Sequence, residues 1–251
     1  MDTIIVSTLN HKVAVVTGAS KGIGAGIAKA FGAAGASVVV NYTASREGAE
    51  RVVAEIKRQG GKAVAIQGDV SKAGDVRRLF KEAKEAFGAL DILVNNAGVY
   101  RFEPLESVGE DEFHRQFNTN VLGTILAIQE ATKHFGPAGG SIINLSSIAS
   151  VAQMPNSSVY TASKSAVDAL TRVLAIELSA RKIRVNAIAP GATATEGLAL
   201  MGAEVAQSML PGIPMGRLGR PEDIAPLAVF LASDESAWMT GERVTASGGQ
   251  R

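Results

Sequence analysis

The stretch KVAVVTGASKGIG, residues 12–24, decides the fold. Its first half, KVAVVT (12–17), is a run of small and β-branched apolar residues and reads as a buried strand. The second half, TGASKGIG (17–24), breaks into glycines at 18, 22 and 24, and a helical pattern follows through Ala34. Such a turn brings backbone close to a bound group, and the helix N-terminus beyond it, from Ile23, offers unpaired N–H groups and a positive dipole end. A dinucleotide pyrophosphate suits that cradle, with an ordinary glycine-rich turn as the plain alternative. The spacing differs from the six-residue glycine fingerprint, and no Gly-Lys-Ser/Thr ending marks a P-loop.

Outward from this unit the chain keeps alternating. SVVVNY (37–42), KAVAIQGDV (62–70), LDILVNNAG (90–98), GSIINLSS (140–147) and KIRVNAIAP (182–190) read as further strands. Between them lie amphipathic runs: 45–60 with Val52, Val53 and Ile56 on one face, a stripe of Val76, Leu79, Phe80, Ala83 and Phe87, and a long helix over 158–180. A helix over 221–232 begins with Pro221 and Glu222, suited to a first turn. Uninterrupted apolar strands separated by helices predict an α/β fold, a doubly wound parallel sheet with helices on both faces. No composition break divides it, so one domain is expected over 1–251. Ligands in such sheets bind beyond the carboxyl ends of the strands, where nearly every unusual cluster of this chain falls.

Composition narrows the function classes. The 251 residues are 46% apolar and 20% charged, ordinary for a globular protein, with 27 glycines spread along the chain. A formal charge of +1 gives no reason to expect nucleic acid or an anionic membrane as partner. The largest basic cluster, Arg77, Arg78, Lys81 and Lys84, reads as a solvated helix face. There is no cysteine, which removes disulfides, thiol catalysis and cysteine–zinc sites. His11, His114 and His134 lack metal-ligand spacing, and no metal is expected. The N-terminal MDTIIVSTLNHK carries an acid in place of a basic leader region, and no apolar run approaches a membrane span. A soluble, cytoplasmic protein is the expectation.

The cofactor type should be read at the end of the second strand. NAD sites hold the ribose 2′-hydroxyl with an acid there. This chain has Asn41, Tyr42, Thr43, Ala44, Ser45 and Arg46, with no carboxylate before Glu47, and Ser20 and Lys21 lie close by. Hydroxyls, an amide and two cations favour a 2′-phosphate, hence NADPH/NADP+ over NADH. Asp69, followed by Val70 after the third strand, either accepts from the adenine amino group or caps the next helix. Asn96, Ala97 and Gly98 are small residues where backbone must pass the cofactor.

VYTASK (159–164) sets Tyr160 four residues ahead of Lys164, on one face of a helix. Together with TGASKGIG, NNAG (95–98), Asn120 in NTNVLG, Ser147 in NLSSIAS and PGATAT (190–195), in that order, the chain resembles the short-chain dehydrogenase/reductase family over residues 11–249. It is similar to the NADPH-dependent 3-oxoacyl reductases, sugar dehydrogenases and polyketide-naphthol reductases of that family. The resemblance implies a seven-stranded Rossmann sheet, a homotetramer, and Tyr160, Lys164, Ser147 and Asn120 as the catalytic set. It also implies that Pro190, Gly191, Thr193 and Thr195 line the nicotinamide. Ser247 stands where the family carries Asp before Gly-Gly, which weakens the assembly inference.

The chemistry fits these residue types. A free phenol ionises near roughly pH 10, and an adjacent ammonium lowers that value. Tyr160 then gives the proton in ketone reduction, Ser147 donates to the carbonyl oxygen as it becomes alkoxide, and Asn120 holds a water relaying protons to Lys164. Leu198, Leu200, Met201, Val205, Met209 and Leu210 read as an apolar lid or a plain amphipathic helix, with Val99, Tyr100, Ala149, Val151 and Gln153 completing the wall. No cation other than Arg101 is near, so a neutral ketone or alcohol is expected as substrate. Polyol oxidation by the same residues is the rival activity, and a non-catalytic NADP(H)-binding regulator is the rival from another class. A serine hydrolase is rejected, because no Gly-x-Ser-x-Gly elbow occurs.

Overall fold

The computed structural model describes residues 8–152, 154–200 and 202–250. Seven strands form one sheet: β1 (Val13–Val16), β2 (Ser37–Tyr42), β3 (Lys62–Gln67), β4 (Ile92–Asn95), β5 (Gly140–Leu145), β6 (Ile183–Pro190) and β7 (Arg243–Ala246). Among the described residues nine α-helices accompany them: α1 (Gly22–Ala33), α2 (Arg46–Arg58), α3 (Ala73–Phe87), α4 (Glu110–Phe117), α5 (Gly123–Ala131), α6 (Ser158–Glu177), α7 (Glu196–Ala199), α8 (Ala203–Met209) and α9 (Pro221–Ala232). The order is β3-β2-β1-β4-β5-β6-β7 and every pairing is parallel. The sheet is doubly wound, as the alternation predicted.

Successive residues of each strand feed opposite cores. Ala14, Val16, Val38 and Val40 pack beneath α1, α2 and α9, whereas Val15, Val39 and Leu93 pack beneath α3 and α5. Both faces of the strands are therefore covered, which is why they read as unbroken apolar runs. The expected third and fourth strands end early, at Gln67 and Asn95, because the residues beyond leave the ladder to build the crevice. A buried polar ladder, Asn95 to Asn144 at 2.9 Å and Asn144 to Thr171 at 2.9 Å, ties β4 and β5 to α6.

Register levels the strand ends. Val16 pairs with both Val40 and Val94, Val94 with Ile143, and Ile143 with Asn186. The chain reverses its direction of winding between β1 and β4, the switch point where such sheets open a crevice. Among the described residues no helix is long and apolar enough to cross a membrane.

Helix α1 must approach α9 closely to cover this region. A Cβ on Gly26 would lie 2.6 Å from Pro221 Cβ, too close for either backbone to ignore. Gly26→Val should therefore lower unfolding stability by roughly 1–3 kcal/mol, read from urea midpoints, through forced separation of the two helices. An unchanged midpoint would show that the helix pair tolerates a wider spacing.

Candidate active site

A cleft of about 700 Å³ lies beyond the carboxyl ends of the strands. Its floor is stitched together by one hydroxyl. Thr17 Oγ1 donates to the Val94 carbonyl at 3.2 Å and accepts from the N–H groups of Asn96 and Ala97, each at 3.0 Å. Asn96 Nδ2 returns to the carbonyls of Thr17 and Gly18 at 2.8 and 3.0 Å. The loops after β1 and β4 thus form one surface. Gly18, at φ +61°, is where they touch: a Cβ there would fall 2.9 Å from Ala97 Cα.

Of the residues expected to hold a dinucleotide, Gly18, Ser20, Lys21, Gly22, Ile23, Thr43, Ala44, Ser45, Asp69, Val70, Asn96, Ala97, Gly98, Pro190, Gly191, Thr193 and Thr195 all line this cleft. Four do not. Asn41 is buried, its Oδ1 accepting from Gly18 N–H at 3.1 Å and its Nδ2 donating to Ile66 and Gly68 carbonyls. It braces the glycine loop from beneath. Tyr42 packs against the apolar core, and Gly24 lies under the Asn96 side chain within α1. Arg46 is turned along α2, donating to Glu50 at 2.7 Å, and Glu47 likewise accepts from Arg51 at 2.6 Å. Helical i,i+4 pairing outcompetes the crevice for both. Asp69 Oδ1 accepts from the N–H and hydroxyl of Ser71, so its carboxylate organises the turn leading into α3.

The tyrosine and lysine of VYTASK sit one turn apart on the inner face of α6, with Lys164 Nζ 5.8 Å from the Tyr160 ring centre. Lys164 is buried and donates to the Leu145 carbonyl at 2.7 Å. Burial pulls its ammonium down to about 8, opposed by the charge of Asp168 one turn further along. Burial also pushes the Tyr160 phenol up to about 12, relieved in part by the Ser147 hydroxyl. Here the structure departs from the expected lowering of the phenol by the ammonium. Desolvation outweighs the charge, and the ammonium points at Leu145.

Ser147 follows β5 in extended conformation, its Oγ accepting from Ala149 N–H at 3.1 Å. Asn120 lies in a π turn, Asn118–Leu122, between α4 and α5. Its amide accepts from Val99 N–H at 2.8 Å and donates to the Val99 carbonyl and Ser163 Oγ at 2.9 and 3.0 Å. Both amide hydrogens are thus used, one on the Val99 carbonyl and one on Ser163 Oγ, which leaves no donor on this nitrogen for the expected water. The side chain clamps the loop after β4 to the π turn and α6.

Sequence reasoning missed three neighbours. Phe102 joins Tyr100 in standing edge-on to Tyr160, with ring centres 5.7 and 5.9 Å away. Met154 also lines the cleft. Of the expected lid, Leu198 and Met209 line it, whereas Leu200 is 84% exposed; of the expected wall, Val151 is 70% exposed and outside the lining. Val205 and Leu210 lie outside the lining, while Val99, Tyr100 and Ala149 belong to it. Met201 and Gln153 fall outside the described residues. Arg101 is paired with Glu103 at 3.2 Å. The third missed residue is Glu196, at the start of α7, whose Oε2 accepts from Gly22 N–H at 3.0 Å. Its adjacency to Thr195 was the available signal. A carboxylate oxygen seated on the glycine loop shows that these donors suit an anionic oxygen, as a dinucleotide phosphate requires.

Comparison with known proteins agrees with this arrangement. A family model described as enoyl-(acyl carrier protein) reductase matches residues 18–251. An uncharacterised oxidoreductase of Methylorubrum extorquens is 52% identical over 248 residues, covering 98% of this chain and all of the relative. The crystal structure of a short-chain type dehydrogenase/reductase from Mycobacterium marinum superposes with a TM-score of 0.93 at 36% identity, covering 98% and 97% of the two chains. This chain belongs to the short-chain dehydrogenase/reductase family. A second solved structure, the angucycline C-6 ketoreductase LanV with bound NADP, superposes at a TM-score of 0.92 with 36% identity, over 97% and 96% of the chains. As a member of the family the protein is an oxidoreductase.

Two consequences can be measured. Glu196→Gln removes the anion seated on the Gly22 N–H, so if a dinucleotide phosphate takes that donor, binding should tighten about 3–10-fold by fluorescence titration, on the scale of one charged hydrogen bond. Weaker binding would mean that Glu196 supports the bound state. For Lys164 the sign follows from its lowered value. The unfolded chain holds the lysine proton up to roughly pH 10.4 and the folded chain only to about 8. The charge therefore destabilises the fold fully below pH 8, and stability recovers as pH rises through that window. Lys164→Met should melt a few degrees higher than the parent at pH 7, with the gap narrowing towards pH 10. A lower melting temperature at pH 7 would show that the bond to Leu145 outweighs the desolvation.

Proposed function

We propose that this oxidoreductase interconverts a neutral ketone and a secondary alcohol with NADPH/NADP+, acting chiefly in carbonyl or 3-oxoacyl reduction. The observation that carries the reading is Tyr160, a half-buried phenol lining a cleft shared with the glycine-loop anion cradle. Gly18, Ser20 to Ile23, Thr43 to Ser45, Asp69, Val70, Asn96 to Gly98, Pro190, Gly191, Thr193 and Thr195 would hold the cofactor, which when bound supplies or accepts the hydride.

The chain's own residues do the rest. Tyr160 holds its proton across the physiological range and releases it only to a strong base such as a forming alkoxide. Ser147, beside it, donates to the same oxygen as charge develops. Lys164 carries positive charge behind the phenol, and burial brings its ionisation down to about 8. Asn120 holds the Val99 backbone and so the wall opposite.

Preference for the 2′-phosphate is supported by the rim at the end of β2, where Ser20, Lys21, Thr43 and Ser45 face the cleft and both Glu47 and Glu50 are turned away to arginines. NADP bound to the LanV structure is in keeping with this. An apolar body on the substrate is supported by Tyr100, Phe102, Met154, Leu198 and Met209, a lining that offers a polyol few partners. Exposed apolar residues on α4 to α6, among them Phe113, Leu122, Val173 and Ile176, are in keeping with a homotetramer. Cytoplasmic residence belongs to the same reading.

The test is initial rates on a β-keto ester with NADPH and with NADH, for the parent and Tyr160→Phe. NADPH should be used at least tenfold faster, and Tyr160→Phe should lose about 10²–10⁴-fold in kcat. Faster turnover with NADH would overturn the 2′-phosphate reading. A Tyr160→Phe variant of parental activity would overturn the proton-donor reading, and bound NADPH without turnover of ketone or polyol would favour a regulator.

A further inference from the structure

Arg243, on the edge strand β7, reaches into the site from outside every motif considered so far. Its Nη2 donates to the Ser147 carbonyl at 3.0 Å, its Nε to Ser150 Oγ at 3.2 Å and its Nη1 to Thr245 Oγ1 at 2.9 Å. The same Nε lies 3.0 Å from Asp168 Oδ2, with the arginine side chain 19% exposed and the aspartate 6%. Asp168 stands four residues beyond Lys164 on α6, hence on the same face. Its second oxygen, Oδ1, is buried with no hydrogen-bond partner among the described residues. A carboxylate so placed has one compensating charge, Arg243, and faces a second cation, Lys164.

We propose that Arg243 is a positioning residue for the reaction: one guanidinium fixes the Ser147 turn and, through Asp168, sets the charge that Lys164 feels. This rests on the reading of Ser147, Tyr160 and Lys164 given above. The fork geometry suits the task, since a planar guanidinium binds a carbonyl and a carboxylate at once. Ser165 Oγ also donates to the Ser150 carbonyl at 2.8 Å, so α6 and β7 grip the turn from two sides.

The groups around Lys164 leave Asp168 as the control. From its own helix it faces Tyr160 and Asp168. From β5 comes the Leu145 carbonyl, and from the loop after β4 and the π turn come Gly98 and Asn120, none of them ionisable. On α4, which packs against α6, Glu112 and Arg115 are paired with each other at 2.7 Å. A change in the Arg243–Asp168 pair is therefore felt at Lys164 with little to buffer it.

The experiment compares pH profiles of kcat/KM for the parent enzyme, Arg243→Met, Asp168→Asn and the double variant, with melting temperatures and NADPH affinity measured alongside. Arg243→Met leaves the carboxylate uncompensated before Lys164, so the alkaline limb should move up by about one pH unit. Asp168→Asn leaves the guanidinium uncompensated, so the limb should move down by a similar amount. The double variant should return the limb to its parental position while kcat stays about tenfold low, because the Ser147 carbonyl has lost its donor. Opposite shifts that cancel are the expected result; a mere brace lowers melting temperature without moving the limb in opposite directions.

If both limbs coincide with the parent's, the proposal is overturned. Should Arg243→Met fail to fold, Asp168→Asn alone decides it, since a static or upward limb refutes the charge relation. A Tyr160→Phe control of parental activity would instead place the fault in the underlying reading of the site.

Discussion

The Thr17 hydroxyl is the bond on which the site depends. It sits where the winding of the sheet reverses, and the loops leaving β1 and β4 would otherwise part there. One buried oxygen accepts two N–H groups and donates to one carbonyl, so both loops acquire a fixed relation at one point. Asn96 closes the circuit from the other side. Buried polar groups that are fully paired rigidify, whereas a half-satisfied group would be costly. The glycine loop is held from below by Asn41 and from beside by this pair. A flexible turn thereby becomes a preformed cradle.

The Tyr160 and Lys164 pair is built by the opposite means, through desolvation. Lys164 is buried and Tyr160 partly so, and each is driven towards its uncharged form. For the phenol this means a held proton; for the lysine, a titration brought near neutrality. The cost is a fold carrying an ammonium it would be more stable without, compensated by the dense apolar packing of the sheet around it. The two apolar cores supply the stability that tolerates it.

Much of this was legible in the sequence, for identifiable reasons. The strands declared themselves because burial on both faces demands unbroken apolar runs, and SVVVNY matched β2 residue for residue. Pro221 and Glu222 marked the start of α9 correctly, because first-turn chemistry is local. The second-strand rim was harder. Arg46 and Asn41 lie beside residues that do face the cleft, but Glu50 claims the one and the glycine loop the other. Such competition is decided by partners remote from the motif. Arg243, Phe102 and Glu196 escaped notice for the same reason, since each meets its partner only after distant segments have packed. Asn120 shows the subtler case: its buried amide is spent on the Val99 backbone and Ser163 Oγ, partners that the local sequence does not reveal.

The contact between Glu196 and Gly22 also bears on selectivity among anions. A tethered carboxylate is present beside the Gly22 N–H at an effective concentration of order millimolar, whatever the solution contains. Any anion drawn to that single donor meets a standing competitor. A ligand that also reached Asp69 and the 190–195 lining of the cleft would have further contacts to offset the displacement. The contact thus disfavours small anions relative to ligands that attach at several points along the cleft.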